Sequence, residues 1–214
     1  IIGEAGIESV KDIFVSKASA ENAPIRFAEQ SGVIRSSAIS DNGHWVYDTT
    51  DYGTIEGELG GVVQEKNTCT VLTAIRELLS LGYKITPQAV KTGFAQVTGL
   101  TGLMGRWQII QREPLIICDT GHNVGGWEYL SKQLDQTPCH ALHIVIGMVN
   151  DKDIHGVLKL LPKKAIYYFT NASVERALPA EEFALQASEH GLKGTIHSSV
   201  ALAIEAAKNA AEPN

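Results

Sequence analysis

Apolar and polar positions change rhythm along this chain, and the change divides it in two. In the first hundred residues, Ile7, Val10, Ile13 and Phe14 recur at helical spacing, which predicts an amphipathic helix over "GIESVKDIFVSKA". "APIRFA" (23–28) and "SAISDNGHWVYDTT" (37–50) read as strands, the second folded about a turn at Asp41-Asn42-Gly43. "TCTVLTAIRELLSLG" (68–82) has the period of a helix closed by Gly82. "TPQAVKTGFAQV" (86–97) predicts another, with Thr86 as N-cap and Pro87 at the first helical position.

A glycine-rich joint, "TGLTGLMG" (98–105), separates this part from a regular alternation. Strands are expected at 107–110, 115–118, 141–147, 165–170 and 194–196, and helices at 124–133, 153–161, 179–189 and 200–210. Apolar strands alternating with helices predict a mostly parallel, doubly wound α/β sheet. The domain boundary is expected near Met104, giving regions 1–103 and 104–214.

Composition narrows the class only a little. The chain has 214 residues, 44% hydrophobic and 20% charged, with a formal net charge of −6. No Lys/Arg cluster is present to neutralise phosphates, which argues against nucleic acid as a main partner. No apolar run approaches membrane-spanning length, and no signal-peptide pattern opens the sequence. Cys69, Cys118 and Cys139 lack metal-type spacing and are expected to be reduced, buried thiols of a cytosolic protein. Both ends look cut: "IIGEAG" opens without a polar leader and "VALAIEAAKNAAEPN" closes inside a helical stretch.

Polar chemistry gathers where strands should end. "DTGHN" (119–123), "NDKD" (150–153) and "NASVER" (171–176) each follow an expected strand, and ligands of open α/β sheets settle at such carboxyl ends. Asp119 and Asn123 are each explicable as caps of the helix that begins near Val124. His122 is a less favoured cap; as a neutral imidazole beside free helix amides it suits an anion site, with Gly121 and Gly125-Gly126 permitting close backbone approach. Asp151 and Asp153 can cap the next helix, and Arg176 is either a surface charge or an anion clamp. His140 and His143 read as structural, and His197-Ser-Ser as a serine-capped helix start. The glycine patterns of phosphate loops, dinucleotide folds and nucleophile elbows are all missing, as is metal-ligand spacing. The residues alone therefore point to a phosphate or carboxylate site without a complete catalytic apparatus.

"GRWQIIQREPLIICDTGHNVGGW" resembles the Gly-Arg-aromatic-Gln … Asp-Gly-Ala-His-Asn signature of folylpolyglutamate and dihydrofolate synthases, members of the Mur ligase superfamily. "LGGVVQEKNTCTVLTAIREL" is similar to the Gln-x-x-Asn helix start of that family's central ATPase domain, and "GMVNDKDI", "ERALPAEEF" and "SSVALAIEAA" follow in the family's order. Two departures stand out. Thr120-Gly121 replaces Gly-Ala, and Met104 stands where Pro often precedes Gly-Arg.

The resemblance implies a C-terminal Rossmann-like domain preceded by the end of a central ATP-binding domain. It also implies an ATP-dependent ligase, in which a folate or dihydropteroate carboxylate is phosphorylated and the resulting acyl phosphate is captured by L-glutamate. Carried over by position, Asn67 reads adenine with Gln64 nearby, Arg106 reaches the nucleotide phosphates, and Asp119 meets the nucleotide or its metal-bound waters. His122 lies near the phosphoryl group or glutamate, and Asn123 supports the turn. ATP and Mg2+ are the implied cofactors, with the phosphate loop and magnesium ligands upstream of Ile1. A monomeric cytoplasmic enzyme is expected, and this stretch alone should not turn over ATP. The alternatives are another Mur-type amino-acid ligase, or a non-catalytic Rossmann-like binding module.

Overall fold

A computed structural model describes residues 1–171 and 173–211. It divides the chain into two compact units, Ile1–Gln108 and Ile109–Asn214.

In the first unit the "GIESVKDIF" pattern forms helix α1 (Glu8–Ala20), none of whose residues is buried. "APIRFA" does not become a strand. Only a single parallel bridge, Ile2 to Phe27, forms there before a 3-10 turn at Ala28–Gln30. The Asp-Asn-Gly turn is as expected: Gly43 takes φ 87° and closes an antiparallel hairpin between β1 (Ile34–Ile39) and β2 (Trp45–Thr49). A third strand, β3 (Gly53–Gly57), completes the sheet on the other side of β2. Its Gly-Thr-Ile-Glu-Gly sequence offers one large apolar residue, so alternation alone gave no signal for it.

β2 buries alternate residues. Trp45 and Tyr47 stack with ring centroids 5.6 Å apart and enter the core with Val33, Ile55, Leu72 and Val90. Leu72 belongs to α2 (Gln64–Ser80) and Val90 to α3 (Pro87–Ala95), whose cap Thr86 accepts a bond from the Ala89 N–H at 3.1 Å. Burial pushes the Tyr47 phenol up to about 12, against a hydrogen bond with the Thr68 side chain that lowers it. The glycine-rich joint is partly helical, with α4 (Val97–Thr101) ending at Gly102, φ 72°.

The second unit opens with β4 (Gln108–Arg112) and β5 (Leu115–Cys118), which pair with each other. The two-residue connection between them permits only an antiparallel hairpin. Helix α5 (Val124–Gln136) follows, and then β6 (His143–Ile146), α6 (Ile154–Leu160), β7 (Ile166–Phe169), α7 (Ala180–Glu189), β8 (Gly194–Ile196) and α8 (Val200–Ala210). β6, β7 and β8 form a parallel sheet in that order.

Alternation along β7 explains its two covered faces. Tyr167 and Phe169 join Val157, Leu158, Phe183 and Ala187 from α6 and α7, whereas Tyr168 packs on Ala203 and Ala207 of α8. Helices on both faces make this the doubly wound α/β arrangement that the pattern predicts. One expectation is corrected. β5 stays with its hairpin partner instead of joining β6, so only two of the three polar clusters follow strands of one sheet.

Candidate functional site

In the first unit the site residues converge on the start of α2. Gln64 is its first residue and is buried, while Asn67, one turn on, is exposed and donates to Gln64 Oε1 at 3.1 Å. The cap position is Val63, which makes no side-chain bond, so capping does not explain Asn67. Just upstream, Gly60 is a glycine for a steric reason: a Cβ there would lie 2.8 Å from the Trp107 carbonyl oxygen and 3.4 Å from that of Arg106. The Arg106–Trp107 backbone thus rests on the segment leading into α2. Trp107 itself takes φ 47°, an uncommon conformation for a bulky residue. Arg106 is half-buried, and its Nη1 donates to the Gly105 carbonyl at 3.3 Å. Sequence reasoning missed Gly60 and Trp107. The Gly-Gly pair before the helix hints at the first; nothing in the residue type marks the second.

In the second unit, Asp119, Thr120, Gly121, His122 and Asn123 form one turn leading into α5. Asp119 Oδ1 accepts from the Gly121 N–H at 2.7 Å, and Asn123 caps the helix by accepting from the Gly126 N–H at 2.8 Å. His122 is exposed, with Nδ1 2.9 Å from the Thr120 carbonyl oxygen. A carbonyl can only accept, so Nδ1 carries the hydrogen and a neutral ring keeps its Nε2 lone pair for another partner. A Cβ on Gly121 would fall 2.2 Å from Leu130 Cδ1, the tip of a flexible side chain that would have to move aside.

The two later clusters are knitted together. Asp151 pairs with Arg176 at 2.8 Å, Asn150 N–H bonds to the Arg176 carbonyl at 3.0 Å, and Val149 bridges Ala177. Arg176 is thus an ion-pair partner. Asp153 is a cap, accepting from the Gly156 N–H at 2.8 Å. A Cβ on Gly156 would lie 2.6 Å from Val124 Cγ2, so the first turns of α5 and α6 abut although β5 lies outside the parallel sheet. His143 is partnered, its Nδ1 2.9 Å from the Tyr168 hydroxyl, and Ser199 caps α8 by accepting from the Leu202 N–H. The thiols differ from expectation: all three are free, but Cys69 and Cys118 are half-buried and Cys139 is exposed. Among the described residues no helix is long and apolar enough to cross a membrane.

Known proteins resemble this arrangement. The chain is 33% identical over 172 residues to the dihydrofolate synthase/folylpolyglutamate synthase of Escherichia coli, covering 76% of this chain and 38% of that protein. It therefore spans well under half the length of this relative. The structure of E. coli FolC in complex with DHPP and ADP superposes with a TM-score of 0.69 at 28% identity, over 98% of this chain and 47% of that one. Folylpolyglutamate synthase of Mycobacterium tuberculosis, complexed with ADP and AMPPCP, shares the fold at a TM-score of 0.79 and 23% identity, over 94% of this chain and 46% of that one. The family model for the Mur ligase glutamate ligase domain matches residues 105–214, half the chain. With a parallel sheet covered by helices on both faces across that same stretch, the chain belongs to the Mur ligase family.

Proposed function

We propose that this chain supplies part of an ATP-dependent ligase that adds L-glutamate to folate or dihydropteroate through an acyl phosphate. In this reading residues 1–103 are the end of the central ATP-binding domain and residues 104–214 the glutamate ligase domain. The observation that carries it is the seating of Arg106–Trp107 on Gly60, close before Gln64 in sequence. In this reading the segment carrying Arg106 lies against the approach to a helix that presents Asn67, and a nucleotide site uses that pair of residue types: an amide for the base and a cation for the phosphates.

The roles follow from chemistry. A transferring phosphoryl group spreads negative charge over its oxygens, and Arg106 offsets that charge. Asn67, with Gln64 as its partner, hydrogen-bonds the adenine. Asp119 contacts the nucleotide or its metal-bound waters, and Asn123 holds the turn. His122, with Nδ1–H committed to Thr120, presents Nε2 to accept a proton from the glutamate ammonium, leaving the amine lone pair free to attack the acyl carbon and expel inorganic phosphate as the C–O bond breaks. We assign no residue of this chain as a direct ligand of Mg2+. We place the ligase in the cytoplasm as a monomer.

Mass analysis of the pterin product tests the assignment. Incubating a ligase that contains this sequence with ATP, L-glutamate and folate or dihydropteroate should add whole glutamate residues. Addition only to a peptidoglycan precursor would move the chain to another branch of the family, and no product at all would refute the catalytic reading.

A further inference from the structure

Unused by the ligase chemistry, two imidazoles meet on the surface of the second unit. His155 Nδ1 and His190 Nε2 are 3.2 Å apart, with ring centroids separated by 5.5 Å and planes inclined at 42°. Each sits on an anchored backbone. His155 lies in the first turn of α6, held by the Asp153 cap and by the buried Val157 and Leu158 that follow. His190 ends α7: its N–H bonds to the Ala187 carbonyl at 3.0 Å, and buried Leu192 bonds to the same carbonyl at 3.1 Å. The pair is open to solvent, His155 being exposed and His190 half-buried.

We propose that His155 and His190 form a binding site for an imidazole-preferring divalent ion, Zn2+ or Cu2+, that links α6 to α7. Two nitrogens bound at about 2.05 Å to one ion stand about 3.3 Å apart at a tetrahedral angle and about 2.9 Å apart at a right angle. The 3.2 Å separation falls between these limits, so both nitrogens can reach one ion once the rings turn their lone pairs from each other towards it. Without metal, one ring donates its N–H to the other's lone pair. With metal, each neutral ring keeps one hydrogen, on His155 Nε2 and His190 Nδ1, and both lone pairs face the ion without net proton loss. Among the described residues no third His, Cys, Asp or Glu completes a metal-binding group, so water fills the remaining positions. Such a nitrogen pair selects against Mg2+, which demands oxygen ligands.

Two readouts on the intact 214-residue chain test this. Cu2+ at one equivalent should give an electron paramagnetic resonance spectrum with two equatorial nitrogens, and Zn2+ should raise Tm by at least about 2 °C while Mg2+ does not. His155→Gln and His190→Gln should each abolish the two-nitrogen spectrum and the Zn2+ shift, and His197→Gln should preserve both. If the wild type shows neither effect, or both survive in the two Gln variants, the proposal is wrong. A second measurement needs no variant: in a Zn2+ titration followed by NMR, the imidazole resonances of His155 and His190 should shift first. Earlier shifts at other histidines overturn the assignment.

Discussion

Two helix starts carry the candidate chemistry, and they spend their polar side chains differently. At α5 the turn is self-satisfied: Asn123 caps the helix, Asp119 bonds the Gly121 N–H, and His122 bonds the Thr120 carbonyl. At α2 no side chain caps the helix, Gln64 is buried, and Asn67 stands exposed with Gln64 as its neighbour. Helix amides need partners, and a cap is the ordinary way to supply one. The α5 turn is therefore held by its own side chains, with the outer edge of His122 facing solvent. The α2 start offers an amide side chain that helix capping leaves unexplained.

The largest effect should come from Arg106. In a ligase containing this sequence, Arg106→Ala should slow phosphoryl transfer by about a hundredfold or more, the scale of losing one charge contact in the transition state; kcat from ADP release checks it. His122→Ala should lower turnover by about a hundredfold, the low end of what a lost general base costs, while ATP affinity stays near wild type. A large loss of ATP affinity there would move His122 to the nucleotide and blur the contrast between the two turns. Asn67→Ala should raise KM for ATP about tenfold, one hydrogen bond's worth, with kcat less affected.

Asn123→Ala should behave as a folding variant, destabilising the chain by about 1 kcal/mol, or a fall in Tm of about 2–4 °C. If Asn67→Ala costs only stability and Asn123→Ala only nucleotide affinity, the contrast is reversed. The smallest expected effect is at high pH. The Tyr47 phenol, raised from its ordinary 10 to about 12, contributes stability in full below pH 10 and loses it as pH rises towards 12. Tyr47→Phe should flatten part of the alkaline unfolding limb, with Tyr52, Tyr167 and Tyr168, whose phenols burial also raises, contributing to the rest.

What the sequence made legible was local. Thr86, Asn123, Asp153 and Ser199 cap where residue type and spacing predict, because a cap depends on a few neighbouring atoms. β8 and α8 match their expected bounds for the same reason. Non-local pairing was not legible. β5 has the apolar run of a sheet strand, yet a two-residue connection gives it a nearer partner in β4. "APIRFA" carries strand-like residues but finds only one bridge, to Ile2. The seating of Trp107 on Gly60 depends on residues far apart in sequence, and the Asp151–Arg176 pair on two loops meeting at one sheet edge. The Asp119–Asn123 motif could be quoted from the sequence, but that Leu130 packs against Gly121 could not.

The central claim is that Arg106 and the α2 start serve a nucleotide whose phosphoryl transfer ends in glutamate ligation. The most direct measurement is ADP release by a ligase containing this sequence, with and without L-glutamate and with folate or dihydropteroate, in wild type and Arg106→Ala. The account predicts release that requires both the pterin acid and glutamate, and that falls about a hundredfold in the variant. Release that ignores glutamate, or that survives unchanged in Arg106→Ala, would contradict it.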